Sequence, residues 1–194
     1  MVMNFNKKIL IILVALIIFS NNTMALYGDN SIDLNCKSAL LMDSATGTII
    51  YEMNSHEKLE PASITKIMTM LLVMEALNSE KINLEDKVII SKNASKMTTG
   101  TRLMLEEGEV RTMEELLYGI AVESGNDASI AVAEYISGSE EEFVKLMNKR
   151  AKELGMNDTR FLNPHGLHVE GHITSAHDIG IMSRELLNHK KIFD

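Results

Sequence analysis

Apolar and polar positions along the chain predict a β-hairpin followed by a series of helices. Residues 38–53 contain two short apolar runs on either side of a turn-like Ser-Ala-Thr-Gly segment, which predicts the hairpin. Over residues 62–77 apolar side chains cover nearly every helical face, a pattern typical of a helix buried on all sides. Helices therefore dominate the predicted fold, and strands are few.

Capping residues mark the starts of the later helices. The segment from Thr112 to Glu115 has the sequence of a capping box, and Ser139 and Ser175 each precede a further helical pattern. Gly155 stands where a glycine commonly ends a helix. The remaining predicted elements are loops with short strands over 91–108 and helices over 116–122, 127–136, 140–154 and 176–188.

The first 25 residues have the pattern of a secretory signal peptide. Lys7 and Lys8 precede an uninterrupted apolar run of 11 residues, and a small-residue end at Ala25 follows. A membrane-spanning helix needs about 20 apolar residues, so this run is short for an uncleaved anchor, which is the alternative interpretation. The sequence predicts a signal peptide over 1–25 and a domain over 26–194 that works outside the cytoplasmic membrane.

Composition narrows the class of protein. The 194 residues are 45% apolar and 24% charged, which suits one packed domain. The 19 Lys and Arg stand against 27 Asp and Glu, a net charge of −8, and phosphate recognition needs a basic face, so nucleic-acid binding is not expected. Cys36 is the single cysteine, which excludes an internal disulfide.

The leading candidate for chemistry is the pair Ser63 and Lys66. Residues i and i+3 of a helix share a face, so the Ser63 hydroxyl and the Lys66 amine are predicted to lie within hydrogen-bonding reach. Pro61 places Ser63 near the helix N-terminus, where free N–H groups favour a developing anion. A desolvated lysine favours its neutral form and can act as a base. The alternative is that Ser63 is only an N-cap and Lys66 an ordinary surface residue.

Further segments accompany that pair. The tripeptide Ser124-Gly125-Asn126 lies between two predicted helices, where a loop can present a hydroxyl and a carboxamide to a cleft. In order and spacing, four segments resemble the serine-type D-alanyl-D-alanine carboxypeptidases, which are low-molecular-mass penicillin-binding proteins. The four segments are 61–69, 123–128, 163–167 and 172–178. The resemblance extends over almost all of the chain after the predicted signal peptide.

The resemblance implies both a fold and a set of roles. The implied fold is α/β, of the serine β-lactamase and transpeptidase type: a mostly antiparallel sheet flanked by helices, with a helical subdomain carrying Ser124. Ser63 is implied as the nucleophile that forms an acyl-enzyme, and Lys66 as the base that takes its proton. Ser124 is implied to pass a proton to the leaving D-alanine, and Asn126 to bind the substrate peptide.

The same resemblance implies the substrate and the inhibitors. The substrate is the D-alanyl-D-alanine end of the peptidoglycan stem peptide, in the cell wall outside the cytoplasmic membrane, with a role in cell shape. β-Lactams are the implied inhibitors. No metal and no organic cofactor is expected.

The family's third motif, Lys-Thr-Gly on a sheet strand, does not occur in these 194 residues. In the family it follows segment 172–178 and supplies part of the oxyanion hole and the site for the substrate's terminal carboxylate. The expectation is therefore the N-terminal part of a longer enzyme, or a truncated product, without the C-terminal sheet strands. Such a chain in isolation is expected to fold poorly and to have little activity. A vegetative or sporulation role, a C-terminal membrane-binding segment and the oligomeric state are left open.

Three alternatives compete with this interpretation. A zinc site is suggested by His165, His168, His172 and His177, but their spacing matches no ligand pattern. A β-lactamase would prefer Asp where Gly125 stands, and no counterpart of its deacylating glutamate is evident. The third alternative is a non-catalytic penicillin-binding or wall-binding protein, which only the missing third motif supports.

Overall fold

The structure, a computed structural model, describes residues 34–193. The predicted signal peptide lies outside the described residues. Within them the chain forms two small antiparallel sheets, six α-helices and two short 3-10 helices. The strands are β1 (Ala39–Met42), β2 (Ile49–Met53), β3 (Lys87–Ile89) and β4 (Val110–Thr112). The helices are α1 (Lys66–Asn78), α2 (Lys92–Ser95), α3 (Met113–Ala121), α4 (Asn126–Ser137), α5 (Glu140–Glu153) and α6 (Ala176–Leu187), and the 3-10 helices are Ala62–Thr65 and Lys190–Phe193.

Strands β1 and β2 form the predicted hairpin, with Ala39 opposite Met53 and an irregularity before Met42. The turn is closed by the Asp43 carboxylate, which accepts hydrogen bonds from the backbone N–H and the hydroxyl of Thr46, both at 2.7 Å. An aspartate that bonds the backbone ahead of it is a common way to fix a turn. The prediction of a hairpin over 38–53 is confirmed.

Helix α1 is the centre of the fold. It packs against α3, α4, α5 and α6, so nine of its 13 residues are buried, among them the fully enclosed Met68, Leu71 and Val73. A helix with neighbours on every side has no polar face to keep, which explains the continuous apolar run in the sequence. The prediction of an all-round buried helix is confirmed, with one difference: its first turn, Ala62–Thr65, is a 3-10 helix.

Local capping chemistry sets the starts of three helices as predicted. Thr112 and Glu115 form a reciprocal capping box at α3, and the hydroxyls of Ser139 and Ser175 accept backbone N–H bonds at the starts of α5 and α6. Gly155 follows α5 with a φ of +80°. The polar stretch 91–108 contains the short helix α2, whereas the strands β3 and β4 flank it instead of lying inside it.

Arg150 ties three helices together. From α5 its Nε lies 2.7 Å from Glu75 Oε1 on α1, and its Nη2 lies 2.8 Å from Glu185 Oε1 on α6. All three side chains are half-buried, where a forked guanidinium can bridge two carboxylates at fixed geometry. Among residues 34–193 no helix is long and apolar enough to cross a bilayer.

Candidate active site

Ser63 stands on the exposed 3-10 turn that leads into α1. The preceding residue, Ala62, has a φ of +46°, a left-handed conformation that costs a non-glycine residue about 1–2 kcal/mol. The turn lifts Ser63 to the surface, while Thr65 and Lys66, two and three residues later, point into the protein and are buried. Ser63 is therefore exposed to solvent, whereas the central helix that follows it is buried.

The Lys66 amine lies at the meeting point of three chain segments. Its Nζ is 3.2 Å from Ser63 Oγ, 2.7 Å from Asn126 Oδ1 and 2.8 Å from the backbone oxygen of His165. The amide and carbonyl oxygens can only accept hydrogen bonds, whereas the Ser63 hydroxyl can also donate. A neutral amine that keeps donating to the two shorter contacts therefore turns its lone pair towards Ser63.

Burial prepares Lys66 to act as a base. Only 3% of the residue is exposed, and this desolvation lowers the pKa of Lys66 to about 8. At neutral pH a useful fraction of the amine is unprotonated, which an ordinary surface lysine does not offer. The geometry and the lowered pKa together allow transfer of a proton from Ser63 to Lys66.

Asn126 is the first residue of α4 and is buried. Its Oδ1 accepts from Lys66, and its Nδ2 donates to the backbone oxygen of Thr99 at 3.0 Å. The carboxamide nitrogen carries two hydrogens, so one N–H remains for a further acceptor. Gly100 lies directly over it: a Cβ there would come within 2.7 Å of Asn126 Nδ2.

Ser124 is placed near this group but is not bonded to it. It lies in the turn between α3 and α4, is half-buried and has a φ of +58°. Within residues 34–193 its hydroxyl makes no hydrogen bond to Ser63, Lys66 or Asn126. The structure thus joins three of the four predicted site residues by direct hydrogen bonds and holds the fourth two positions away along the chain.

The loop 163–167 packs against the Ser63 turn from the other side. The Asn163 side chain closes this loop on itself by accepting from Gly166 N–H at 2.6 Å and donating to the Leu167 oxygen at 2.9 Å. Gly166, with a φ of +88°, lies so near the turn that a Cβ would be 1.8 Å from the carbonyl oxygen of Ala62. Only glycine allows this approach.

Replacing Gly166 with alanine is expected to displace the Ser63 turn. The added Cβ meets backbone, which cannot move aside cheaply, so we expect a loss of about 3 kcal/mol or more in the free energy of unfolding. Gly155→Ala is the matched control, because its φ of +80° is similar but no heavy atom lies within 4 Å of the new Cβ. It should cost about 1 kcal/mol. Urea denaturation of both variants tests this, and equal losses would show that the contact has no effect.

Two buried histidines flank the site. The Nδ1 atoms of His165 and His172 accept backbone N–H bonds from Leu167 and Leu162 at 3.2 and 3.1 Å, so both rings are held neutral. Burial lowers the pKa of both, that of His165 to about 4 with a further contribution from the charge of Lys66. From the sequence, both histidines belong to segments that carry the family resemblance, and a metal-ligand role is an alternative.

The protein is expected to lose stability as the pH falls from about 6.5 towards 4. In that range the unfolded chain binds protons at both imidazoles while the folded chain does not. The free energy of unfolding therefore decreases as the pH is lowered. His172→Gln should make this slope shallower in denaturation curves measured at several pH values. His56→Gln is the control: hydrogen bonding to Asp158 raises the pKa of His56, so its contribution changes above pH 6.5 and the slope below should remain. An unchanged slope in His172→Gln would contradict the prediction.

The residues that support the site from the protein interior were not predicted from the sequence. The Asp127 carboxylate, almost fully buried, accepts from the backbone N–H of Leu103 at 2.9 Å and of Leu105 at 3.1 Å, and so fastens the preceding loop to α4. His165 and Thr99 contact Lys66 and Asn126 through backbone oxygens, so these contacts cannot be predicted from the residue types. An acidic residue in the first turn after Ser124-Gly125-Asn126 was the one available signal.

The histidines considered for zinc do not form a metal site in the described part of the chain. The group whose potential ligand atoms lie within 4.8 Å of one another is instead Glu75, Glu185 and His189. Arg150 already bonds both of those carboxylates. The Arg150 guanidinium therefore supplies the positive charge that a metal ion would supply between these two carboxylates.

Comparison of the sequence with known proteins identifies a family of similar chains. The family model described as D-alanyl-D-alanine carboxypeptidase matches residues 24–192. The chain is 58% identical over 156 residues to the D-alanyl-D-alanine carboxypeptidase DacF of Bacillus subtilis (strain 168), covering 80% of this chain and 40% of that protein. The chain thus spans about 40% of the length of the curated relatives it matches first.

Solved structures agree with the fold. The D-alanyl-D-alanine carboxypeptidase DacD from Francisella tularensis superposes with a TM-score of 0.80 at 38% identity, covering 82% of this chain and 39% of that one. Penicillin-binding protein D2 from Listeria monocytogenes in its ampicillin-bound form gives 0.72 at 25% identity, covering 83% and 65%. The α/β fold implied by the resemblance is confirmed, and the chain belongs to the D-alanyl-D-alanine carboxypeptidase family of serine peptidases.

Proposed function

We propose that the protein removes the terminal D-alanine from peptidoglycan stem peptides through an acyl-enzyme on Ser63. The observation that carries this proposal is the buried Lys66 amine, which makes two hydrogen bonds to oxygens that can only accept and a third, longer contact with the Ser63 hydroxyl. A serine with an adjacent base, whose own position is fixed by other groups, is the arrangement that nucleophilic catalysis requires.

The first half-reaction follows from these contacts. Neutral Lys66 takes the hydroxyl proton as Ser63 Oγ attacks the carbonyl carbon of the D-alanyl-D-alanine peptide bond. The second N–H of Asn126 Nδ2 is available to a carbonyl oxygen of the bound peptide. The tetrahedral intermediate expels the amine of D-alanine, which receives a proton, and we assign to the nearby Ser124 hydroxyl the relay of that proton from Lys66.

The second half-reaction releases the enzyme. Water attacks the ester carbonyl of the acyl-enzyme, gives a proton to neutral Lys66, and frees the shortened peptide with a terminal carboxylate. Ser63 recovers its hydroxyl proton. Neither half-reaction needs an oxidant or a cofactor. β-Lactams are proposed to acylate the same serine, supported by the ampicillin-bound form of the Listeria relative.

The proposed reaction implies a location at the cell wall. Because peptidoglycan lies outside the cytoplasmic membrane, we propose an extracytoplasmic location, reached through the signal peptide predicted over 1–25. An effect on cell shape belongs to the same proposal. Membrane association through a C-terminal segment, which the sequence leaves open, is not part of this proposal.

D-Alanine release tests the proposed activity. The product of the complete gene is incubated with a peptide ending in D-Ala-D-Ala and with a matched peptide ending in L-Ala-L-Ala, and free alanine is measured. Release from the D,D-peptide alone supports the proposal. No release from either peptide, in a folded protein, would refute it and would favour a non-catalytic penicillin-binding role if penicillin is still bound.

A further inference from the structure

His172 is a buried polar residue that the proposed chemistry does not use. Only 2% of it is exposed, and its ring lies edge-on to Phe161 with 5.9 Å between centroids. Its Nε2 is 2.8 Å from the hydroxyl oxygen of Thr65, which is itself fully buried. Thr65 is the residue immediately before Lys66, so the contact joins His172 to the turn that carries the nucleophile.

The direction of this hydrogen bond follows from the other ring nitrogen. The backbone N–H of Leu162 points at His172 Nδ1 from 3.1 Å, so Nδ1 must be the acceptor and cannot carry a hydrogen. A neutral imidazole then has its hydrogen on Nε2, which donates to Thr65 Oγ1. The His172 ring therefore links the backbone N–H of Leu162 to the side chain of Thr65 through two hydrogen bonds.

Thr65 is held on its second side as well. A Cβ on Gly166 would lie 2.9 Å from Thr65 Oγ1, so the threonine side chain has little space to move towards that loop. One turn further along α1, Thr69 donates to the backbone oxygen of Pro164 at 2.6 Å. The loop 163–167 therefore contacts the start of α1 at successive turns, and His172 adds a side-chain hydrogen bond to Thr65, two residues after Ser63.

We infer that His172 is a positioning residue: its bond to Thr65 holds the Ala62–Thr65 turn so that Ser63 Oγ stays within reach of the Lys66 amine. The inference rests on the proposed function, because it concerns how fast Ser63 is acylated. The turn needs such a contact because Ala62 has an unfavourable φ of +46°, a conformation that persists only when surrounding contacts hold it.

The first test separates binding from chemistry in His172 variants of the complete protein. Stopped-flow acylation by a fluorescent penicillin gives the dissociation constant of the initial complex and the acylation rate constant separately. His172→Leu should lower the rate constant by about 10–100-fold, because small displacements of reacting groups cost rates of that size, and should leave the dissociation constant nearly unchanged. His172→Gln can accept from Leu162 and donate to Thr65, so it should stay within about threefold of the wild-type rate.

The second test asks whether the two partners act as one unit. Thr65→Val removes the hydroxyl at nearly constant volume and should lower the acylation rate constant as His172→Leu does, whereas Thr65→Ser should restore it. The double variant Thr65→Val/His172→Leu should be no slower than the slower single variant, because both changes break the same bond. Gly155→Ala, which destabilises the fold away from the site, should leave the rate constant unchanged.

The outcomes distinguish this inference from the proposed function. A wild-type protein that is not acylated at all overturns both. A wild-type protein that is acylated while His172→Leu and Thr65→Val react at its rate overturns the inference alone. So does a His172→Gln variant as slow as His172→Leu, or a double variant in which the two losses multiply. Recovery in the Gln and Ser variants with a non-additive double variant supports it.

Discussion

Replacing Ser63 with alanine is expected to abolish acylation by penicillin and release of D-alanine. The reaction loses the atom that forms the covalent bond, so we expect both rates to fall by about 10⁴-fold or more. Ser63 is exposed, and its hydroxyl bonds only the Lys66 amine among the described contacts, so the free energy of unfolding should hardly change. A large rate loss without loss of folding is the mark of a nucleophile.

The intact mass of the protein after treatment with benzylpenicillin measures the effect directly. The wild-type protein should gain the mass of one penicilloyl group, located by peptide mapping on the segment that contains Ser63. Ser63→Ala should gain none. Ser95→Ala, at a half-buried serine of α2 whose hydroxyl donates to the nearby Lys92 oxygen, is the control and should be acylated as the wild type is. An adduct of equal yield in Ser63→Ala would place the nucleophile elsewhere.

Acylation is expected to rise with pH and level off above about pH 8. Lys66 must be neutral to accept the serine proton, and its pKa is lowered to about 8 by burial. Below that value the neutral fraction falls about tenfold for each pH unit, and the acylation rate should fall in the same proportion. The rate constant at saturating penicillin, measured from pH 6 to 9.5, gives the profile.

Lys66 variants test whether the amine is the group that titrates. Lys66→Met should lower the rate by about 10²–10⁴-fold and remove the pH dependence around 8. Lys66→Arg keeps a positive charge and hydrogen-bond donors but cannot lose its proton at these pH values, so it should be as slow as the methionine variant. Lys149→Met, at an exposed lysine of α5, should retain the wild-type profile. An active Lys66→Arg variant would show that the charge matters and that proton transfer does not.

Features set by neighbours in sequence could be predicted, and those set by distant segments could not. The caps at Thr112, Ser139 and Ser175 depend on contacts three residues away and are all found as predicted. The left-handed φ of Ala62 was not predictable, and neither was the close approach of Gly166, about a hundred residues later, to the Ala62 carbonyl. Local chemistry appears in a local pattern, whereas packing between distant segments does not.

The same division holds for the site. The Ser63–Lys66 contact follows from helical spacing, and the structure places the two atoms 3.2 Å apart although the turn between them is 3-10. The third partner of Lys66 is the backbone oxygen of His165, and a backbone contact cannot be predicted from the type of residue that provides it. The lowered pKa of Lys66 was expected from an apolar helix, but the loop 163–167 that encloses the amine could be located only in three dimensions.

The convergence of three segments on one amine has a consequence for how the protein folds. The contacts of Lys66 span 60 residues to Asn126 and 99 residues to His165, and contacts so distant in sequence form slowly because long loops must close first. Acylation competence should therefore appear late in refolding, after helical circular dichroism has recovered. Short pulses of fluorescent penicillin during refolding would then label only molecules in which both loops have closed, and so would time the last long-range step of folding.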